Sequence, residues 1–432
     1  MSLSAGTLKR DQKTFEITDK HFTKHYSRLK GLNIISAEGN WLRDSSGKDI
    51  LDMVAQYSAA GFGRGYGRPR SHKFFNEVMS AFIKEITLGC GMLPNFCYNE
   101  TVANCAKSLC LFTDMDKVIF MNSGAEAFDT AVKIIRKNAY RKKLIVENNG
   151  IIFVSSSNFH GRTLGAISAS NVSQYRSGFG PLLSGFGHVV FGDSNALESA
   201  FRQACLLGRV PIAFITEPIQ GEGGINVPPD GYLRKAKELC RKYNVLFVLD
   251  EIQTGFGRAG YKFAWEHDGP EAKPDMMMLG KMLGGGVYPV SAVVGNKEVM
   301  DILRPGDHGS TFGGTPLACA VASKVVEIFN ENPQIISKVG VLGRYFIENL
   351  LRIIGEVKNP LIKGVRGRGL LVGIEFTDKV APLFRYNLMR EGVLAGIAGH
   401  DRVLRFSPPL IIDSDEIDFA IKKIKKVFKV EA

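Results

Sequence analysis

VLFVLDEIQTGFGRAG (residues 245–260) and, beyond a variable middle, PDMMMLGKMLGGG (274–286) form the stretch on which the reading of this chain turns. Residues 245–249 are apolar throughout, short and partly β-branched, which predicts a strand buried on both faces. Asp250 and Glu251 then fall at its carboxyl end, the edge where open α/β sheets bind ligands. Lys281 sits among Met276, Met277, Met278, Leu279, Met282 and Leu283, with three glycines behind it. A lysine so placed either carries its ammonium to water on its apolar stem or is desolvated, which lowers its pKa. Desolvation would supply the amine nucleophile that Schiff-base chemistry requires.

Outward from this stretch, apolar runs alternate with helical periodicity. Strands are expected at 117–121, 151–154, 188–191, 212–216 and 245–249, with helices at 125–143, 196–206 and 232–243 between them. That alternation predicts a mostly parallel sheet covered by helices on both faces. Before it come a helical arm at 17–29, short strands at 32–38, 41–44 and 49–53, and helices at 72–87 and 100–111. After Gly314 the character changes: helices at 317–330 and 334–354, strands at 370–376 and 403–407, and a last helix at 415–427. The expected division is an N-terminal arm with strands joining the small domain (1–60), a large domain (61–314) and a small α+β domain (315–432).

The 432 residues carry 45% hydrophobic and 23% charged side chains, the balance of an ordinary globular protein. No apolar run reaches membrane-helix length, and the first residues show neither a hydrophobic signal region nor an Arg-rich presequence. Seven scattered cysteines without CxxC spacing suggest reduced core thiols and no metal site. A cytoplasmic location is the expectation. The net charge of +12 raises nucleic-acid binding as an alternative, but the cations are dispersed and equally suit attraction of small anions.

Several motifs carry chemistry. Asn122-Ser123-Gly124-Ala125-Glu126-Ala127 joins a strand to a helix, as a phosphate cradle or simply as a tight turn capped by Ser123. Gly255-Phe256-Gly257-Arg258-Ala259-Gly260 matches the GxGxxG of dinucleotide-binding proteins, which would make the chain an oxidoreductase. The residues that follow make a poor helix, and that fingerprint needs one. Asn158-Phe159-His160-Gly161-Arg162-Thr163 offers an aromatic platform and a guanidinium suited to a carboxylate. Glu217-Pro218-Ile219-Gln220-Gly221-Glu222-Gly223-Gly224 lies at another strand end. Arg405 is a charge inside an apolar strand, where a half-exposed surface position is the plainer expectation. A strand-end acid, a desolvated lysine and an upstream anion site are together what pyridoxal phosphate needs at its ring nitrogen, aldehyde and phosphate.

With SGAEA, NFHGRT, EPIQGEGG, LDEIQTGFGRAG, LGKMLGGGVYPVSAV and HGSTFGG in order between about Tyr57 and Pro409, the chain resembles the class III aminotransferases of fold type I, pyridoxal-phosphate enzymes. Within them it is most similar to the ornithine branch, favoured over the acetylornithine branch by residues 288–293 and 305–310. The resemblance implies that Lys281 bonds the cofactor and then moves the substrate proton, while Asp250 pairs with the ring nitrogen. It implies Gln253 near the ring hydroxyl, Phe159 and Ile252 on the two ring faces, and Ser123, Gly124 and Ala125 at the phosphate. Thr311 is implied to reach in from a neighbouring subunit, hence a homodimer. Arg162 is implied to take the carboxylate far from the reacting amine, Glu222 and Arg405 to form a gate, and Tyr57 to shape the pocket for ornithine rather than 4-aminobutyrate.

Three departures bear on substrate. Tyr26, in Lys24-His25-Tyr26-Ser27-Arg28, is the nearest match to a second substrate tyrosine. Gly65-Tyr66-Gly67-Arg68-Pro69 replaces a Gly-His-x-His-Pro segment, and Thr315 stands where asparagine is usual. The implied reaction moves the δ-amino group of L-ornithine to 2-oxoglutarate, with acetylornithine or another ω-amino compound as alternative donor.

Overall fold

The computed structural model describes residues 5–430. Strands β1 (Ile34–Glu38), β2 (Trp41–Asp44) and β3 (Asp49–Asp52) form an antiparallel meander near the amino terminus. The large sheet follows: β4 (Lys117–Met121), β5 (Gly150–Ser155), β6 (Phe186–Val189), β7 (Val210–Thr216), β8 (Leu246–Asp250), β9 (Met276–Leu279) and β10 (Ser291–Gly295). Its order is β4-β10-β9-β8-β7-β5-β6, and β10 alone runs antiparallel to its neighbours. The last sheet takes β11 (Ile362–Arg368), β12 (Leu371–Phe376), β14 (Gly396–Ala398) and β15 (Val403–Phe406); β13 (Val393–Leu394) instead pairs with β3.

The continuous apolar runs are explained by the packing. In β8, Leu246 and Val248 join a cluster with Phe128, Ala131 and Ile135 of the helix Gly124–Lys137. Phe247 and Leu249 point the other way, into the cluster holding Leu233, Ala236 and Leu239 of the helix Tyr232–Lys242. Met276 and Met278 of β9 side with the first cluster, Met277 and Leu279 with the second. Alternation sends neighbouring residues to opposite faces, so a strand covered on both sides must be apolar at every position.

Some elements differ from expectation. The amino-terminal helix is Ala5–His21, not 17–29. Beyond it Phe22, His25 and Tyr26 pack ring on ring, with Arg28 over Phe22, and this local cluster replaces further helical turns. The methionine run before Lys281 is itself a strand, and β10, β11, β13 and β14 were not anticipated; flexible, unbranched Met and glycine-rich segments give little strand signal. After the Gly255–Gly260 loop comes only the short 3-10 helix Ala264–Asp268, so no helix amino terminus stands where a dinucleotide pyrophosphate would need one.

Candidate active site

The carboxyl ends of β4, β5, β7, β8 and β9 open onto one cavity of about 540 Å³. Asp250, the last residue of β8, is buried there, and β8 pairs in parallel with β9, which delivers Lys281 just beyond its own end. Lys281 adopts φ +42°, a left-handed backbone uncommon for side-chain-bearing residues. Burial pushes its pKa down, opposed by the negative charges of Glu222 and Asp250. Its amine has no hydrogen-bond partner among the described residues.

The turn after β4 is built as an N-terminal cap. Ser123 Oγ accepts from the Glu126 amide at 3.3 Å, and the Glu126 carboxylate accepts from the amides of Asn122 and Ser123 at 3.1 and 2.8 Å. The capping box leaves the first two helical amides, Gly124 and Ala125, without partners among the described residues, at the positive end of the helix. Ser291 Oγ donates to Ser123 O at 2.7 Å and ties the turn to β10. Ser123 is thus the cap that a tight strand-to-helix turn calls for, and the two open amides beside it suit an anion. Gly124 lets the turn approach Ile252 closely: a Cβ there would come within 2.9 Å of Ile252 Cδ1 and push that side chain aside.

Phe159, Ile252 and Gln253 line the same cavity, and Gln253 Nε2 donates to Tyr57 O at 3.2 Å. Tyr57 belongs to the turn Ala55–Ser58 and sets its ring 5.0 Å from the Arg405 guanidinium carbon. Arg405, on β15, is 0% exposed, not a surface residue, and its Nη1 is paired with Glu222. Its Nε and Nη2 are buried without partners among the described residues. Arg162 lies at the rim, exposed, its guanidinium carbon 3.8 Å from the Tyr175 ring centre and 5.4 Å from that of Phe159. Five predicted residues do not line the cavity: Tyr57, Arg162 and Arg405 stand beside its lining residues Gln56, Gly161 and Glu222, whereas Thr311 is exposed and Tyr26 is 65% exposed on the amino-terminal segment.

Two residues of the site were missed in the sequence. His160 Nδ1 lies 2.7 Å from Asp250 Oδ2, and its ring stacks on Phe128 at 4.8 Å and 6°. With the Asp250 carboxylate oxygen as acceptor, Nδ1 is the donor; Nε2 is buried without a partner among the described residues. Glu217, after β7, accepts from the amides of Phe159 at 3.2 Å and Gly221 at 3.3 Å, stapling the two loops together. Burial pushes its carboxyl up to about 7. Both lie inside motifs already singled out, NFHGRT and EPIQGEGG, but nothing in one dimension says that residues 160 and 250 meet.

The donor set fits pyridoxal phosphate. Two free amides at a helix amino terminus suit its phosphate, an oriented buried acid suits a protonated ring nitrogen, and an unpaired, desolvated amine suits an aldehyde. Comparison with known proteins agrees. The sequence model of the family described as Aminotransferase class-III matches residues 22–428. A Staphylococcus aureus protein named ornithine aminotransferase 2 is 40% identical over 420 residues, covering 97% of this chain and all of its own length. The ornithine aminotransferase of Toxoplasma gondii superposes with a TM-score of 0.89 at 35% identity, over 97% of this chain and 95% of that one. A second structure of that protein, at TM-score 0.88 and 34% identity over 99% and 98% of the two chains, has pyridoxal phosphate in partial occupancy at its active site. The acetylornithine aminotransferase of Elizabethkingia anophelis is also similar, with TM-score 0.83 and 33% identity over 97% and 98%. The chain belongs to the class III aminotransferases, pyridoxal-phosphate-dependent enzymes of fold type I.

Proposed function

We propose that this enzyme moves the δ-amino group of L-ornithine to 2-oxoglutarate, giving glutamate 5-semialdehyde and glutamate. The observation that carries the reading is the Glu222–Arg405 pair, closed beneath Tyr57. A wholly buried guanidinium covered in this way cannot take an α-carboxylate, so a diamino acid enters with its terminal amine foremost and its carboxylate toward Arg162. With 2-oxoglutarate, Glu222 gives up Arg405 to the α-carboxylate while Arg162 takes the other.

The cofactor, when bound, supplies the electron sink that makes the substrate carbon acidic. The chain's residues do the rest. Lys281 would bond the aldehyde and, once released from it, would move the substrate proton. Asp250, aligned by His160, would keep the ring nitrogen protonated. Phe159 and Ile252 would hold the ring, Gln253 would serve its hydroxyl, and Ser123, Gly124 and Ala125 would hold the phosphate. Thr311, exposed on its own chain, completes the phosphate site of a second copy, so the working unit is a homodimer. We infer the division into 1–60, 61–314 and 315–432, which sets Arg405 and Glu222 on different domains and lets their relative movement work the gate. The seven unpaired cysteines support a cytoplasmic enzyme.

The test is a comparison of kcat/KM for ornithine, acetylornithine, lysine, putrescine and 4-aminobutyrate with 2-oxoglutarate as acceptor. Ornithine is expected to lead by at least an order of magnitude. Rapid turnover of another donor beside negligible turnover of ornithine would reject the assignment.

A further inference from the structure

Ala55, Gln56, Tyr57 and Ser58 have φ of +46, +50, +57 and +78°, four consecutive left-handed residues without a glycine. L-residues visit this region singly; a run of them persists only where its surroundings over-determine it. The restraints are identifiable. Asp52 Oδ1 accepts from the amides of Val54 and Ala55, each at 2.9 Å, and its other oxygen is paired with Arg64 Nη1. Ser407 Oγ donates to Val54 O at 2.9 Å, and Gln253 Nε2 donates to Tyr57 O. Asp52 is 1% exposed, so its charge has no recourse to water and depends on Arg64. The turn is thereby tied on one side to an ion pair and on the other to the cavity and to the segment just past Arg405.

What this turn delivers is the Tyr57 ring against Arg405. With Nε and Nη2 of Arg405 unpartnered, the tyrosine face and the Glu222 carboxylate are what hold the guanidinium. We propose that Asp52 and Arg64 are positioning residues for donor choice: their ion pair latches a strained left-handed turn so that Tyr57 keeps Arg405 covered and paired with Glu222. The inference rests on the gate described above and extends it to Asp52, outside the cavity lining, and to Arg64, which also lines the cavity. With the latch broken, the turn relaxes, Tyr57 withdraws and Arg405 becomes available to α-carboxylates. Ornithine, which needs Arg405 covered, then loses; glutamate, which needs it open, does not.

The experiment uses the holoenzyme and the two donors separately, following cofactor absorbance through each half-reaction. In Asp52→Asn, which keeps an oxygen for the two amides but drops the charge, and in Arg64→Ala, the ratio of kcat/KM for ornithine to that for glutamate is expected to fall fivefold or more. Arg64→Lys should retain most of the wild-type ratio and guards against a misfolded alanine variant. Ala55→Gly, which removes the methyl that disfavours the left-handed backbone, should restore at least half of the ratio lost in Arg64→Ala. Amide hydrogen exchange over residues 54–60 should quicken in Arg64→Ala and slow again with Ala55→Gly. Equal losses for both donors, or no rescue by Ala55→Gly, would overturn the latch. Glu222→Ala separates the two levels. If it leaves the ratio unchanged, the gate itself fails; if it shifts the ratio while the latch variants do not, only the latch fails.

Discussion

Burial pushes the Glu251 carboxyl up to about 7, opposed only in part by its hydrogen bonds to Thr254 and Trp265. Its oxygens accept from Thr254 Oγ1 and, at 3.0 Å, from the Trp265 amide. The proton is therefore bound more tightly in the folded chain than in the unfolded one. This group costs nothing below the unfolded pKa near 4.5, and its stability contribution is lost as pH rises through about 7. Glu251→Gln keeps an acceptor for Trp265 and removes the titration. The variant should gain stability over the wild type by about 2 kcal/mol more at pH 8 than at pH 5.5, measured by urea unfolding at both. Glu217 is raised for the same reason but also staples two loops of the cavity, so its replacement would mix stability with binding.

At one junction near the end of β15, a helix and a turn meet through backbone rather than side chains. A Cβ on Gly343, in the helix Gln334–Val357, would lie 2.2 Å from Gly369 O, and one on Gly369 would lie 2.5 Å from Arg258 O. Arg258 is itself buried and donates from Nη1 to Leu370 O at 3.1 Å and Pro408 O at 2.5 Å. The glycine loop that resembles a dinucleotide fingerprint is thus a fastening between the large sheet and the strand pair β12–β15. Because the neighbour of Gly343 is backbone, it cannot rotate away. Gly343→Ala should cost about 3 kcal/mol, seen as a lower denaturant midpoint at unchanged m-value. A wild-type midpoint would show that the helix can slide past this turn.

On the scale of the whole molecule, the exposed Thr311 leaves the phosphate cradle of its own chain incomplete if the dimer is the working unit. A C2 pair would exchange this residue reciprocally. Lys281→Ala and Thr311→Asp protomers should each be nearly inactive alone, the second because it sets a carboxylate against a phosphate. Mixed and allowed to re-pair at random, half the dimers would carry one intact site, restoring about a quarter of wild-type turnover. No recovery on mixing, with subunit exchange verified by labelled protomers, would place Thr311 in the site of its own chain.

Much of this protein is legible in one dimension because covalent neighbours carry the signal. Apolar runs ending in Asp250 or in Glu217 announce doubly covered strands and the edge where they stop, and the SGAEA turn announces its capping box. The strand Met276–Leu279 was hidden, since unbranched methionines are compatible with either period, and so was the arm, where an aromatic cluster competes with helix. What sequence alone determined was the local setting of each group: an acid at a strand end, an amine in apolar surroundings and a capped strand-to-helix turn, each within its own motif. What only the tertiary structure decided was their alignment and the covering of Arg405. His160 meets Asp250 across ninety residues of chain, Glu222 meets Arg405 across one hundred and eighty-three, and Tyr57 is held in a left-handed turn by Asp52, Gln253 and Ser407. Burial turns an ordinary strand arginine into an obligatory partner, and burial is a property of the folded chain that no local pattern of residues contains.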